Sequence, residues 1–100
     1  MVERPQLDSE ITFRSCNCLK ALAHETRLGI IWLLRNGEKS VNELATALGV
    51  LLPNISQHLR ILRDREILVA RKQGNMVFYR LRDERILKIL ETLQQIHCPQ

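Results

Sequence analysis

Ser40 and Glu43, in the stretch SVNELATALGV, have the S-x-x-E spacing in which each side chain satisfies a free backbone N–H at a helix start, and Gly49 supplies the stop. A second helix follows almost at once. It begins near Pro53, whose missing N–H is harmless in a first turn, and NISQHLRILRD turns Ile55, Leu59 and Leu62 onto one face. Two short helices joined by a tight, glycine-containing turn predict a helix-turn-helix, and the rest of the chain must supply the core beneath it.

That core is legible on both sides of the motif. ETRLGIIWLLRNG carries Leu28, Ile30, Ile31, Trp32, Leu33 and Leu34, apolar nearly all round, with Asn36-Gly37 as a C-terminal signal, which predicts a buried helix. Before it, the segment from about Ser9 to Leu22 places Ile11, Cys18 and Leu22 at helical spacing. After the motif, ILVARKQGNMVFYRL reads as strands Leu68 to Lys72 and Met76 to Leu81 around Gln73-Gly74-Asn75, with Val69, Val77 and Tyr79 facing the core. From Asp83 as N-cap, ERILKILETLQQIHC predicts an amphipathic helix with Ile86, Leu90, Leu93 and Ile96 or His97 on its stripe, stopped by Pro99. Helix, helix, helix-turn-helix, hairpin, helix is the order of a winged helix-turn-helix: a mainly α (α+β) chain with a two-stranded β-hairpin wing, expected to form a single domain over residues 1–100.

With 45% hydrophobic and 26% charged residues the composition is that of one globular domain. No run of about 18 apolar residues suggests a membrane span, and MVERPQLDSE lacks the basic-then-apolar pattern of a secretion signal, so a cytoplasmic location is expected. The net charge of +4 is unevenly placed: residues 60–88 carry nine Lys/Arg against four acids, while residues 1–59 balance six against six. A cationic second half points to a polyanion such as double-stranded DNA, against the plainer reading of a solvated charged face.

On the second helix of the motif, with Ile55, Leu59 and Leu62 inward, Gln57, Arg60 and Asp64 turn outward, flanked by Asn54 and Ser56. Amides can bond adenine in two places and Arg can do so with guanine. N-terminal residues of a recognition helix reach deepest into the major groove. Asn54 and Gln57 are therefore expected on bases, with Ser56, Arg60 and Arg63 on phosphates or bases near the edge; His58 is left to packing. In the hairpin, Arg71, Lys72 and Arg80 flank a tip of Gln73, Gly74 and Asn75 made flexible by Gly74, suited to the minor groove and its phosphates. Ordinary edge-strand charges are the competing explanation. No enzyme is expected: Ser56, His58 and Asp64 share one short helix on which Ser56 and His58 face different ways, and there is no glycine-rich phosphate loop or H-E-x-x-H.

Three cysteines, Cys16, Cys18 and Cys98, make an odd count that argues against a disulfide framework in a reducing compartment. On a helix residues i and i+2 point about 200° apart, so Cys16 and Cys18 do not form a ready-made metal clip. Cys18, on the stripe with Ile11 and Leu22, reads as a small buried hydrophobe, and Cys16 as the more accessible thiol.

The words LKALAHETRLGII (19–31), SVNELATALGV (40–50), NISQHLRILRDREIL (54–68) and ARKQGNMVFYRL (70–81), in this order and spacing, resemble the ArsR/SmtB-type repressors. The resemblance covers roughly residues 16–98. It implies a homodimer with its first and last helices at a helical interface, binding an inverted-repeat operator and releasing it when an effector binds. Family members commonly have Ser-Gln where this chain has Leu51-Leu52, which removes a cap hydroxyl and a base-reading amide and leaves Leu52 suited to a thymine methyl group. The arsenical Cys-Val-Cys is replaced by Ser40-Val41-Asn42. Of the zinc ligands of the last helix Asp83 survives, while Arg85, Ile96 and Pro99 take the other places. Cys98 matches one of the persulfide-sensing cysteines, but Trp32 stands at its partner's position.

With all three thiols confined to the two end segments, Cys98 is expected near Cys16, Cys18 or both. There they would take arsenite, antimonite or another thiophilic ion, or respond to oxidant or persulfide; no resident cofactor is expected. The rival readings are an effector-independent regulator whose thiols only pack, and a winged helix serving as a protein-interaction module.

Overall fold

The computed structural model describes residues 7–97. Five α-helices and a small antiparallel sheet follow in the order α1 (Ser9–Leu22), α2 (Glu25–Leu33), a 3-10 turn (Leu34–Asn36), β1 (Lys39–Ser40), α3 (Val41–Leu48), α4 (Leu52–Asp64), β2 (Leu68–Gln73), β3 (Met76–Leu81) and α5 (Ile86–His97). This is the winged helix-turn-helix expected from the sequence, with one element added. The wing is not a free two-stranded hairpin: β1 pairs along β3, Lys39 with Tyr79 and Ser40 with Phe78, giving the strand order β1-β3-β2.

α2 lies at the centre of the molecule. Its Ile30 and Ile31, with Leu44 of α3 and Ile55, Leu59 and Leu62 of α4, are fully buried, and Leu34, Leu68, Tyr79, Leu81 and Leu90 close the core around them. Gly29 lets α3 approach α2: a Cβ there would stand 2.8 Å from Leu48 Cδ2. At the head of α3 the capping box is complete, the Glu43 N–H donating to Ser40 Oγ (3.1 Å) and the Ser40 N–H to Glu43 Oε1 (2.9 Å). The Ser40 backbone N–H first, and then the Ser40 side chain, hold the Glu43 carboxyl below its ordinary pKa. Gly49, with φ +63°, ends α3 in the left-handed region that glycine enters without a steric cost, and so sets the turn into α4.

One local expectation is shifted and one is corrected. Asp83 caps the run into α5 as expected, its Oδ1 accepting from the Arg85 N–H (2.9 Å) and its carboxylate clasping the Arg85 guanidinium (2.6 Å to Nη2). The α-helix itself starts later, at Ile86, because the first turn is the tighter 3-10 kind, the Ile86, Leu87 and Lys88 N–H groups donating to the Asp83, Glu84 and Arg85 carbonyls. Val69 was placed with Val77 and Tyr79, yet it pairs with Arg80 on the opposite face of the sheet; Leu68 and Ala70, across from Leu81 and Tyr79, face inward in its place. The α1 stripe also leaves the core as it runs backwards, from buried Leu22 through half-buried Cys18 to exposed Ile11.

Candidate nucleic-acid interface

α4 is anchored by Ile55, Leu59 and Leu62, and 3.6-residue geometry turns Asn54, Ser56, Gln57, Arg60 and Arg63 outward, where all five are exposed. Among the described residues no hydrogen bond or ion pair engages these side chains, so their donors and acceptors are open to a ligand. Leu51 is the N-cap residue and Leu52 the first of the helix; no side chain caps this end, and no acid lies in the first turn.

His58, half-buried on the inner flank of α4, is fixed as packing predicts. Arg27 Nη1 donates to its Nδ1 (3.3 Å), and its ring centroid stands 4.4 Å from that of His24. His24 in turn caps α2, accepting from the Thr26 N–H through Nδ1 (3.1 Å), and Arg27 is steadied by donating to the Ala21 carbonyl. Burial first, then His24 and Arg27, lowers the His58 pKa. No local pattern signals this cluster, because His58 on α4 lies far along the chain from His24 and Arg27. Ser56 and Asp64 make no hydrogen bond with His58, so the residues of the imagined triad do not assemble.

In the wing the expected cations separate. Successive strand residues face opposite ways, and Arg71 falls on the outer face across from Phe78 while Lys72 falls on the face of Val77. Arg71 is committed: it donates to both carboxylate oxygens of Glu38 and to Gln73 Oε1 (2.6 Å), and its guanidinium lies 4.8 Å from the Phe78 ring centroid. Glu38 is correspondingly held below its ordinary pKa, chiefly by the hydrogen bond from Arg71. Lys72 and Asn75 are exposed and take part in none of these bonds. Gly74, at φ +62°, makes the tight tip that carries them.

Two of the three thiols lie on α1. Cys16 is exposed and Cys18 half-buried against the core, both free. Cys98 lies outside the described residues. No group of three or more His, Cys, Asp or Glu among the described residues is placed to hold a metal ion. Nor is any described helix long and apolar enough to cross a membrane.

Residues 24–68 match the model of the bacterial regulatory protein arsR family. The biofilm growth-associated repressor of Agrobacterium fabrum is 39% identical over 80 residues, covering 80% of this chain and 68% of that protein. The chain belongs to the ArsR family. The arsenical resistance operon repressor of Escherichia coli, another member, is 54% identical over 63 residues, covering 62% of this chain and 54% of that one. Among solved structures, the homodimeric winged helix-turn-helix DNA-binding domain of a possible ArsR-family regulator from Mycobacterium bovis superposes with a TM-score of 0.80 at 29% identity, over 97% of this chain and 90% of the other. An ArsR-family chain is a transcriptional regulator, not an enzyme.

Proposed function

We propose that the chain is a homodimeric repressor that seats α4 in successive major grooves of an inverted-repeat operator. The observation that carries this reading is the row of exposed, unengaged Asn54, Ser56, Gln57 and Arg60 on one side of a helix whose other side is fully buried. Asn54 and Gln57 read base edges, Ser56, Arg60 and Arg63 hold phosphates or flanking bases, and Lys72 and Asn75 follow the neighbouring backbone. Arg71, held by Glu38, and Gln73, accepting from Arg71, set the shape of the wing more than they contact DNA. The homodimeric relative supports the two-fold arrangement.

The test is a titration against a genomic fragment library in moderate salt. Enrichment of an inverted repeat, with affinity that falls steeply as salt rises, is the expected result. A library that enriches no sequence removes the operator reading and leaves the protein-interaction module.

A second reading is favoured by the exposed Cys16 thiol and its neighbour Cys18 on α1, together with the arsenical repressor among the relatives. A thiophilic effector, arsenite or antimonite, or an oxidant or persulfide, binds or modifies these thiols with Cys98 and lowers operator affinity. Because Cys16 and Cys18 point apart on α1, one ion reaches both only if that helix distorts, and the distortion is what shifts the dimer out of its DNA-binding geometry. Operator affinity of the reduced protein with arsenite, zinc and a persulfide donor, repeated on Cys16→Ser, Cys18→Ser and Cys98→Ser, decides it. Unchanged affinity under all three treatments leaves an effector-independent regulator.

A further inference from the structure

The N-terminus of α4 carries two residues that neither the helix nor the solvent favours. Leu51 is 73% exposed and Leu52 49% exposed, and neither joins the core. At the N-cap, Leu51 offers no acceptor to the first-turn N–H groups, where Ser, Thr, Asp or Asn would satisfy one. Adjacent apolar side chains, exposed where a polar residue would serve the helix better, need a partner outside the protomer.

Their surroundings select that partner. The same end of α4 presents Asn54, Ser56 and Gln57, followed by Arg60 and Arg63, all exposed. Its first turn holds no acid, although the helix dipole would welcome one. Such a surface repels a cation and invites a polyanion, and in the major groove of DNA the apolar feature of the base edges is the C5-methyl group of thymine.

Resting on the operator reading above, we infer that Leu51 and Leu52 read the C5-methyl groups of thymines in each half-site. They are specificity-determining residues that select thymine by its methyl group, beside the amides that select by hydrogen bonding. Uracil separates the two modes. It keeps every hydrogen-bonding group of thymine and lacks only the methyl, so a thymine read through Leu51 or Leu52 is distinguished from uracil, while one read through its O4 alone is not.

The experiment starts from the operator enriched by the full chain. Duplexes are then made in which each thymine of a half-site is replaced singly by uracil, and binding is compared for the wild type and a Leu51→Ser/Leu52→Gln double variant, whose fold is checked by circular dichroism. The expected result is a loss of about fourfold in wild-type affinity at one or two thymines of the half-site, the worth of one buried methyl group, and no loss at those positions for the double variant. Wild-type binding that is indifferent to every uracil, an enriched half-site without thymine, or an equal uracil loss in the double variant overturns the inference while the operator reading stands. Failure to enrich any operator overturns both. Loss of self-association in the double variant, with uracil indifference in the wild type, would assign the two leucines to a second copy of the chain instead.

Discussion

His58 shows how a single side chain can tie the packing of α4 to solvent conditions. It accepts from Arg27 through Nδ1, so the form present in the fold is the neutral imidazole with its proton on Nε2. A second proton would sit between Arg27 and the His24 ring, and burial opposes it as well, which is why the pKa falls below 6.5. The direction for stability follows from that lowering. Above pH 6.5 neither state carries the extra proton and the contribution of His58 is intact; as the pH falls, the unfolded chain takes up the proton first and stability is lost until the folded pKa is passed. The urea midpoint is therefore expected to fall between pH 7.5 and 5.5, and to fall less in His58→Gln. Equal pH slopes in the two proteins would show that another group governs acid sensitivity.

At the scale of elements, on the operator reading proposed above, α4 and the wing divide recognition between base identity and backbone charge. Gln57→Ala should lower operator affinity while sparing random duplexes, by about 1–3 kcal/mol of discrimination for a lost bidentate contact. Lys72→Ala should weaken both alike and reduce the salt slope by about one. Arg71→Ala should cost less DNA affinity than Lys72→Ala, because Arg71 already spends its donors on Glu38 and Gln73. Filter binding over a salt series checks all three, and a larger loss for Arg71→Ala would mean that the clasp with Glu38 opens on DNA. From charge pattern alone Arg71 and Lys72 are equivalent neighbours. Their difference arises because the pairing of β1 with β3 brings Glu38 to the edge of β3 opposite β2, where Arg71 reaches it across Phe78, a contact between segments distant in the chain.

The protomer as a whole leaves an apolar face open. Phe13 of α1 is 68% exposed and Ile96 of α5 62% exposed, and Ile11, Leu19, Ile89 and Leu93 are exposed on the same two helices. The expected stripe of α5 runs through Ile86, Leu90, Leu93 and Ile96 or His97; of these Leu90 is buried and Ile86 half-buried within the protomer, which leaves the far end of the helix for another chain. Two-fold symmetry would bury each such residue twice, at about 1.5–3 kcal/mol per side chain, so Leu93→Asp is expected to weaken dimerisation by roughly two to four powers of ten. Sedimentation should show a monomer with an unchanged far-UV spectrum and poor operator binding. A stable dimer carrying Leu93→Asp would move the interface elsewhere.

The sequence by itself determined the elements and their order. The signals responsible are local: the Ser40–Glu43 box and Gly49 act within a few residues of one another, and the period of Ile55, Leu59 and Leu62 fixes which side of α4 is outside, so the exposure of Asn54 and Gln57 was readable in advance. The same periodicity correctly set Cys16 and Cys18 apart. Tertiary structure alone decided the rest. β1 is two residues long and exists only because β3 lies beside it. His58 acquires its neighbours from α2 and the residue before it, Arg71 is neutralised from the far side of the sheet, and Val69 turns away from the core because the register with β3 is set by which face of the strand is buried. Each of these contacts joins residues that no local pattern connects. Their energies depend on distances that come into being only when the helices pack around Ile30 and Ile31.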